Sequence, residues 1–185
     1  MTKQTKIILF SSLAIAVGFL SYWLFRIEIK DYFISKHVIY WTNDVKINYA
    51  DFNDEIDQNS DSNIWYYHGL YLKSTNIEDA FVRAIFDKNK SWVKDTTQFN
   101  YQKAMKLQKI RFDLYEVFAR KFNKEIDKIR YKSGKKFSDL EKIGDSIYAE
   151  LYKLDDEIYE SDLTISETID LWRPKIDFML SETKK

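Results

Sequence analysis

The chain has no cysteine, one proline and four glycines, and its positive and negative side chains are equal in number. Without cysteine there can be no disulfide, no thiolate zinc site, no cysteine nucleophile and no lipid-modified cysteine behind a signal peptide. Because Lys plus Arg and Asp plus Glu both number 29, no overall field would attract nucleic acid, and we expect no nucleic-acid partner. The scarcity of glycine and proline favours regular elements with few tight turns.

Catalytic motifs are also scarce. The sequence has two histidines, His37 and His68, and neither a Gly-x-Ser-x-Gly turn nor a glycine-rich phosphate loop. No spacing pairs the histidines as ligands of one metal, so we expect an interfacial His37 and a hydrogen-bonded strand residue at His68. Residues 57–61 (Asp-x-Asn-x-Asp) are similar to the start of a calcium loop, but Ser62 stands where the turn needs glycine. We therefore expect a solvated acidic loop there.

A run of 19 uncharged residues from Ile7 to Phe25 is the strongest single signal in the sequence. As a helix it would span about 28 Å, close to the hydrocarbon thickness of a bilayer. The alternative is a cleaved signal peptide, whose apolar region is about 7–15 residues long and is followed by a small-x-small cleavage site. Since this run is longer and ends in Ser-Tyr-Trp-Leu-Phe-Arg, we favour an uncleaved signal anchor. Lys3 and Lys6 precede it, so the positive-inside rule favours a cytoplasmic N-terminus.

These signals predict a single-pass protein of the cell inner membrane with its C-terminal domain in the periplasm. The predicted organisation is a cytoplasmic N-terminus at residues 1–6, a transmembrane anchor at 7–25, a helical stalk at 26–37 and an extracytoplasmic domain at 38–185.

The extracytoplasmic part begins with short aromatic and β-branched runs and continues with long periodic ones. Strands are predicted at Val38–Trp41, Val45–Tyr49, Ile64–Lys73, Ala80–Phe86 and Ser91–Val93. From Asn100 to Tyr131 apolar rows cover most of a helix circumference, which predicts a buried central helix. Capping boxes at Ser138–Glu141 and Thr164–Glu167 open two more helices, and Pro174 must kink or divide the second. The predicted fold class is α+β, with a small antiparallel sheet packed on the long central helix and two further C-terminal helices.

The helix that begins near Ser138 carries one apolar stripe, formed by Leu140, Ile143, Ile147, Leu151, Leu154 and Ile158. By this periodicity the neighbouring carboxylates Asp155, Asp156 and Glu157 lie on the exposed face. We therefore expect them to be solvated side chains.

Several short motifs of the domain carry a family resemblance. In chain order they are Tyr49-Ala-Asp-Phe52, Phe86-Asp-Lys-Asn-Lys-Ser-Trp-Val93, Leu107-Gln-Lys-Ile-Arg-Phe-Asp-Leu-Tyr-Glu-Val-Phe-Ala-Arg-Lys121, and Leu154–Ser161 with Trp172 beyond. Over residues 38 to 180 the chain resembles the bacterial family known as domain of unknown function 922, described as predicted secreted zinc-dependent proteases. The resemblance implies a zincin-like fold, in which the long helix carries a His-Glu-x-x-His zinc motif.

The chain departs from this family wherever the resemblance implies zinc chemistry. Leu107 and Arg111 stand in place of the two histidines, Gln108 in place of the general base, and Glu160 in place of a later histidine. Leucine cannot coordinate, glutamine cannot take a proton, and a guanidinium repels a cation. The resemblance therefore implies degenerate positions with no catalytic residue, no metal and no cofactor. We expect Arg111 to fill the vacated metal position and to pair with Glu116 or Glu160.

The first functional hypothesis is a membrane-anchored pseudo-metalloprotease that binds or scaffolds envelope or membrane-complex proteins. Its partners would be the lipid bilayer, through residues 7–25, and another membrane or periplasmic protein. The aromatic run that includes Trp65, Tyr66, Tyr67 and Tyr71 is a candidate interface, although a sheet buries alternate side chains of such a run.

The alternative hypothesis is an active metal-dependent hydrolase with a rebuilt site. Its candidate residues are Glu116, Glu160, Asp113 and His68. Catalytic zinc sites ordinarily include histidine among three protein ligands, and among these candidates His68 alone supplies an imidazole.

Overall fold

The computed structural model describes residues 2–94 and 101–183, which divide after Lys36 into an N-terminal helix and a mixed helix and sheet domain. The helices are α1 (Lys3–Ser35), α2 (Tyr101–Arg130), α3 (Phe137–Tyr159) and α4 (Ile165–Glu182). The strands are β1 (Val38–Tyr40), β2 (Ile64–Trp65), β3 (His68–Lys73), β4 (Phe81–Asp87) and β5 (Trp92–Val93), with single 3-10 turns at Tyr49–Asp51 and Lys88–Lys90. The α+β class with a small antiparallel sheet and long helices is confirmed.

α1 is apolar on all sides between Ile7 and Phe25. Large side chains such as Phe10, Leu13 and Phe19 are exposed around its circumference. A helix on the surface of a soluble protein keeps a polar face, whereas one that is apolar all round suits a lipid environment. α1 has 33 residues, and it is long and apolar enough to cross a membrane.

β4 is the middle strand of a three-stranded antiparallel sheet in the order β1–β4–β3, and β2 and β5 pair separately as a two-stranded ribbon. Alternate side chains of β4 point to one face, as strand geometry requires. Val82, Ala84 and Phe86 on that face are buried in the core, against α2. The sheet thus forms one layer, and α2 covers its buried face.

α2 is the centre of the domain. It contacts β4, α3 and α4, and Phe112, Leu114 and Phe118 on it are fully buried. The prediction of a buried central helix is confirmed over the described residues, while its predicted first residue, Asn100, lies outside them.

Asn123 of α2 bonds to β4 where β1 has ended. Trp41 N donates to Ala84 O at 3.0 Å, next to the end of β1. Two residues earlier on β4, Asn123 Oδ1 accepts from Val82 N and Asn123 Nδ2 donates to Val82 O, both at 2.8 Å. A buried backbone group without a partner costs about 1–3 kcal/mol, so this side chain replaces a missing strand and fixes α2 against the sheet.

Two strand predictions need correction. Val45–Tyr49 forms no strand: Asn48 N donates to Asp51 Oδ2 at 2.9 Å, and this bond starts a 3-10 turn. Val45 and Ile47 still pack against the core, so the alternation correctly identified the inward side chains, but no strand lies beside them among the described residues. The predicted strand Ile64–Lys73 is two strands, because β2 pairs with β5 whereas β3 pairs with β4.

Of the two predicted helix-starting capping boxes, one is confirmed and one is displaced. Thr164 Oγ1 accepts from Glu167 N at 3.3 Å and Glu167 Oε2 accepts from Thr164 N at 2.9 Å, which confirms the second capping box. The first is displaced, since α3 begins at Phe137 and Asp139 Oδ2 accepts from Lys136 N at 2.8 Å. Pro174 lies inside α4 without dividing it.

Candidate functional site

A cleft of about 800 Å³ lies between α2, α3 and the aromatic chain segment 61–71. The walls include Trp65 and seven tyrosines, and every one of these rings carries an N–H or O–H group. Trp65 and Tyr67 are 46% and 38% exposed, whereas Tyr66 and Tyr71 of the same predicted interface are buried. All four rings of the predicted aromatic surface thus line the cleft, but only Trp65 and Tyr67 are exposed.

The base of the cleft holds an ion pair between α2 and α3. Arg111 Nε donates to Asp155 Oδ1 and Arg111 Nη2 donates to Asp155 Oδ2, both at 2.7 Å. The two side chains are only 13% and 9% exposed. Two parallel charge-assisted bonds of this length fix both the distance and the orientation of the guanidinium.

Two tyrosines complete this ion pair. Tyr115 Oη donates to Asp155 Oδ2 at 3.3 Å, and the Arg111 guanidinium lies 5.4 Å from the ring centre of Tyr159. Burial and the Asp155 carboxylate raise the pKa of Tyr115, so its hydroxyl keeps its proton and remains a donor. Burial alone would lower the pKa of Arg111, but the hydrogen bonds and charge of Asp155 outweigh it and raise the pKa. Arg111 is thus held in its charged form.

His68 is enclosed beside the ion pair. Its ring stacks on Phe112 at 5.1 Å and lies near the ring of Tyr66 at 6.3 Å, each with an interplanar angle of 14°. Burial, and after it the charge of Arg111, lower the pKa of His68 well below its usual 6.5, so the imidazole is neutral. The predicted strand position of His68 is confirmed, at the start of β3, but its predicted hydrogen bond is wrong, because neither ring nitrogen has a partner within the described part of the chain.

Gln108 brings a second unmatched polar atom to the same cleft. Its side chain is buried, and its Oε1 accepts no hydrogen bond from the described residues. Buried polar atoms are normally paired, with protein or with an ordered molecule, because an unpaired one is unfavourable. Gln108 Oε1 and one nitrogen of the neutral His68 are therefore buried acceptors beside the cleft that the described residues do not use, and the other His68 nitrogen is an unused donor.

The structure brings together the positions at which the chain departs from the family motif. Leu107, Gln108, Arg111 and Glu160 all line the cleft, and His68 lines it with them. Glu160 is exposed at the end of α3.

The expected partner of Arg111 was wrong, and so was the exposed position given to Asp155. Arg111 pairs with Asp155, whereas Glu116 Oε1 accepts from Arg120 Nε at 2.8 Å and lines a different cleft beside β1. Burial raises the pKa of Glu116, although Arg120 opposes this. The sequence did contain a signal for Asp155, since it lies four residues after Leu151 and three before Ile158. That spacing places it on the buried stripe.

Asp113 also lies apart from the cleft, in a second buried network. Its Oδ1 accepts from Trp41 Nε1 and Lys109 Nζ, and its Oδ2 accepts from Arg173 Nη1, all at 2.7 Å. Arg120 and Lys109 each lie 5.1 Å from the Trp41 ring centre. This network ties the end of β1 to α2 and α4, and Asp113 does not line the cleft.

The residues of the proposed rebuilt hydrolase therefore do not meet at one point. His68 and Glu160 line the cleft, while Glu116 and Asp113 are engaged in ion pairs elsewhere. In the described ranges no three His, Asp or Glu side chains are grouped so that they could hold a metal ion.

Comparison of the chain with protein-family models, curated proteins and solved structures gives no match. The resemblance to the zinc-dependent protease family thus remains an expectation from sequence motifs.

Proposed function

We propose that this chain is a membrane-anchored, non-catalytic domain that binds another protein of the cell envelope through the cleft between α2, α3 and β3. The observation that carries the proposal is the buried Arg111–Asp155 pair at the base of an aromatic cleft. A guanidinium locked by two hydrogen bonds fills the place that the resemblance assigns to a zinc ligand, and it leaves a shaped surface without a metal.

The walls of the cleft suit protein recognition. Tyrosine and tryptophan are enriched where proteins meet, because a large apolar ring carries a polar tip and loses little conformational freedom. Trp65, Tyr67, Tyr152 and Tyr159 are between 38% and 59% exposed around the opening. These rings would supply the contact area, and the ion pair would give the base a fixed shape.

β3 supports an extended segment as the bound form. Tyr67 O accepts from Asp87 N at 3.0 Å, so odd-numbered residues of this stretch turn their backbone groups toward β4. The backbone groups of His68, Leu70 and Leu72 then face away from β4, and Tyr148 Oη donates to Leu70 O at 3.2 Å from α3. β3 is the edge of its sheet among the described strands, so an extended segment can add to it through backbone groups other than Leu70 O, which already accepts from Tyr148.

α1 supports the membrane assignment, and the absence of cysteine gives it a simple test. In the proposed topology residues 1–6 are cytoplasmic, α1 spans the inner membrane and the domain lies in the periplasm. Single cysteines introduced at Thr2 and at Ser138 would each be the only thiol. A membrane-impermeant maleimide added to intact cells should label Ser138→Cys and spare Thr2→Cys. The reverse pattern would refute the proposed orientation.

Crosslinking tests the binding proposal. A photoreactive amino acid at Tyr152, which is 52% exposed at the cleft, is compared with one at Tyr131, which is 88% exposed outside its lining. In intact membranes the full chain should crosslink to one discrete protein from Tyr152 and not from Tyr131. Identical products from both positions, or no protein product from Tyr152, would reject the cleft as a binding surface.

Metal analysis tests the non-catalytic part separately. Full-length chain purified in detergent should contain less than stoichiometric zinc after dialysis. One zinc per chain, lost together with hydrolytic activity in His68→Ala but kept in the matched exposed variant Lys142→Ala, would establish the alternative hydrolase instead.

A further inference from the structure

We propose that the occupant of the cleft is a basic extended segment of the partner, which places a lysine or arginine side chain between the tyrosines. This inference rests on the proposed function and adds the chemistry of the bound segment.

The charges of the lining favour a cation. Four carboxylates and one guanidinium line the cleft, so its net formal charge is −3 among the described residues: Asp61, Asp155, Asp156, Glu160 and Arg111. The positive charge of Arg111 is matched by Asp155 through two 2.7 Å bonds. The remaining carboxylates have no cation among the lining residues, and they would attract a positive segment and repel a negative one.

The floor of the cleft also favours a donor. Gln108 Oε1 is buried without a hydrogen bond, and the neutral ring of His68 has one nitrogen that can only accept. Both side chains are more than nine-tenths buried, and both line the cleft. Ammonium and guanidinium groups carry only donors, three and five respectively, so they complement these two acceptors, whereas an aliphatic side chain cannot.

The aromatic walls of the cleft also suit a cationic side chain. A cation is attracted to the face of a tyrosine or tryptophan ring, and Arg111 already lies 5.4 Å from the Tyr159 ring centre inside this cleft. Tyr152 and Trp65 offer further partly exposed faces near the opening. The Tyr67 ring already holds a cation of the chain itself, since Lys90 Nζ lies 4.3 Å from its centre. A long aliphatic stem with a charged head can pack on such rings and still bring its donors to the polar floor.

Peptide binding to the full chain in detergent micelles tests the charge requirement. The probes are three fluorescein-labelled peptides, Gly-Ser-Lys-Ser-Lys-Ser-Gly and the same sequence with both lysines replaced by glutamine or by glutamate. The lysine peptide should bind at least tenfold tighter than either of the others, and its affinity should fall as salt rises. Equal affinity for the lysine and glutamine peptides would overturn the inference.

Two double variants locate the charge effect. Asp156→Asn/Glu160→Gln neutralises two exposed carboxylates of the cleft, and Glu141→Gln/Asp145→Asn neutralises two exposed carboxylates of α3 outside its lining. The first should weaken binding of the lysine peptide about tenfold, and the second should change it less than twofold. Equal effects of the two variants would overturn the inference, since the attraction would then be a property of the whole surface.

Gln108→Met tests the floor of the cleft with little change of side-chain volume. Loss of the acceptor Oε1 should weaken binding of the lysine peptide about tenfold, because hydrogen bonds to charged donors are stronger than neutral ones. Unchanged affinity in a folded Gln108→Met protein would mean that the basic side chain does not reach the floor, and would contradict this inference.

The inference and the proposed function fail in different ways. If Tyr152 crosslinks to a discrete protein whose crosslinked segment has no lysine or arginine, the inference is wrong and the proposed function stands. If Tyr152 crosslinks to no protein, the proposed function fails first and the inference fails with it.

Discussion

Separating the two halves of the Arg111–Asp155 pair is expected to destabilise the domain far more than removing both charges. Arg111→Met leaves a buried carboxylate without its cation, and Asp155→Asn leaves a buried guanidinium without its anion. Both side chains are at most 13% exposed, so solvent screens the pair little. Loss of one partner from such a pair costs about 3–5 kcal/mol of unfolding free energy.

The double variant Arg111→Met/Asp155→Asn has no unpaired charge. The amide that replaces the Asp155 carboxylate can still accept from Tyr115, whose hydroxyl lies 3.3 Å from Oδ2. We therefore expect a cost of about 1–2 kcal/mol for the double change, well below the sum of the single changes. The difference is the coupling free energy of the pair.

Urea unfolding of the full chain in detergent, followed by tryptophan fluorescence, measures these free energies. The matched control is the cycle Lys121→Met and Glu150→Gln, a pair at 3.2 Å whose side chains are 37% and 60% exposed. Exposed pairs contribute about 0–1 kcal/mol, so that cycle should be nearly additive. If the Arg111–Asp155 cycle is also additive, or if either of its single changes costs less than 1 kcal/mol, the buried pair is not coupled as argued.

Three further perturbations follow from other contacts, each measured by the same titration. Asn123→Leu removes both hydrogen bonds to Val82 and should lower the free energy of unfolding by about 2–4 kcal/mol. A loss below about 1 kcal/mol would show that water replaces these bonds. Thr164→Ala removes the acceptor for Glu167 N and should cost about 1 kcal/mol, whereas Thr164→Ser should cost little; equal costs would contradict the capping role. His68 has a lowered pKa, so below its usual 6.5 the unfolded state takes up a proton that the folded state does not. The free energy of unfolding should therefore be independent of His68 above pH 6.5 and fall by about 1.4 kcal/mol per pH unit below it. His68→Phe should flatten that part of the plot of unfolding free energy against pH. An unchanged plot would refute the buried neutral state of His68.

The elements that could be predicted from the sequence are those determined by residues close together in the chain. The rows of α2 and the capping box of α4 depend on residues three to seven positions apart, and the sequence contains them. Val45–Tyr49 shows the limit, because its alternation reports which side chains face the core, while a strand also needs a neighbour that only tertiary packing supplies.

The sequence predicted which α2 residues lie together at the site, but it did not predict the ion-pair partner of Arg111. Helical spacing put Leu107, Gln108 and Arg111 on neighbouring turns of α2, and they do line one cleft. Asp155 lies 44 residues from Arg111, so their pairing depends on how α3 crosses α2, which no local pattern encodes. An acidic residue within an apolar stripe was the available signal, since a buried carboxylate requires a partner.

Arg111 has a further consequence for metal binding, and it allows a test of the family resemblance. Burial and the Arg111 charge lower the pKa of His68, and a field that disfavours a proton there disfavours a divalent ion more strongly, because the energy scales with charge. Leu107 and Arg111 are four residues apart on α2 and line the same cleft, which is the spacing at which two imidazoles hold zinc.

The triple change Leu107→His/Gln108→Glu/Arg111→His should therefore create a zinc site, since it removes the opposing charge and releases Asp155 from its ion pair to act as a further ligand. We expect about one zinc per chain by metal analysis after dialysis, whereas Leu107→His/Gln108→Glu, which keeps Arg111, should hold little. Circular dichroism confirms that both variants are folded. A folded triple variant without zinc would mean that these positions do not converge as the resemblance requires. The resemblance would then be wrong, while the cleft and its ion pair would remain a binding site that owes nothing to a lost metal.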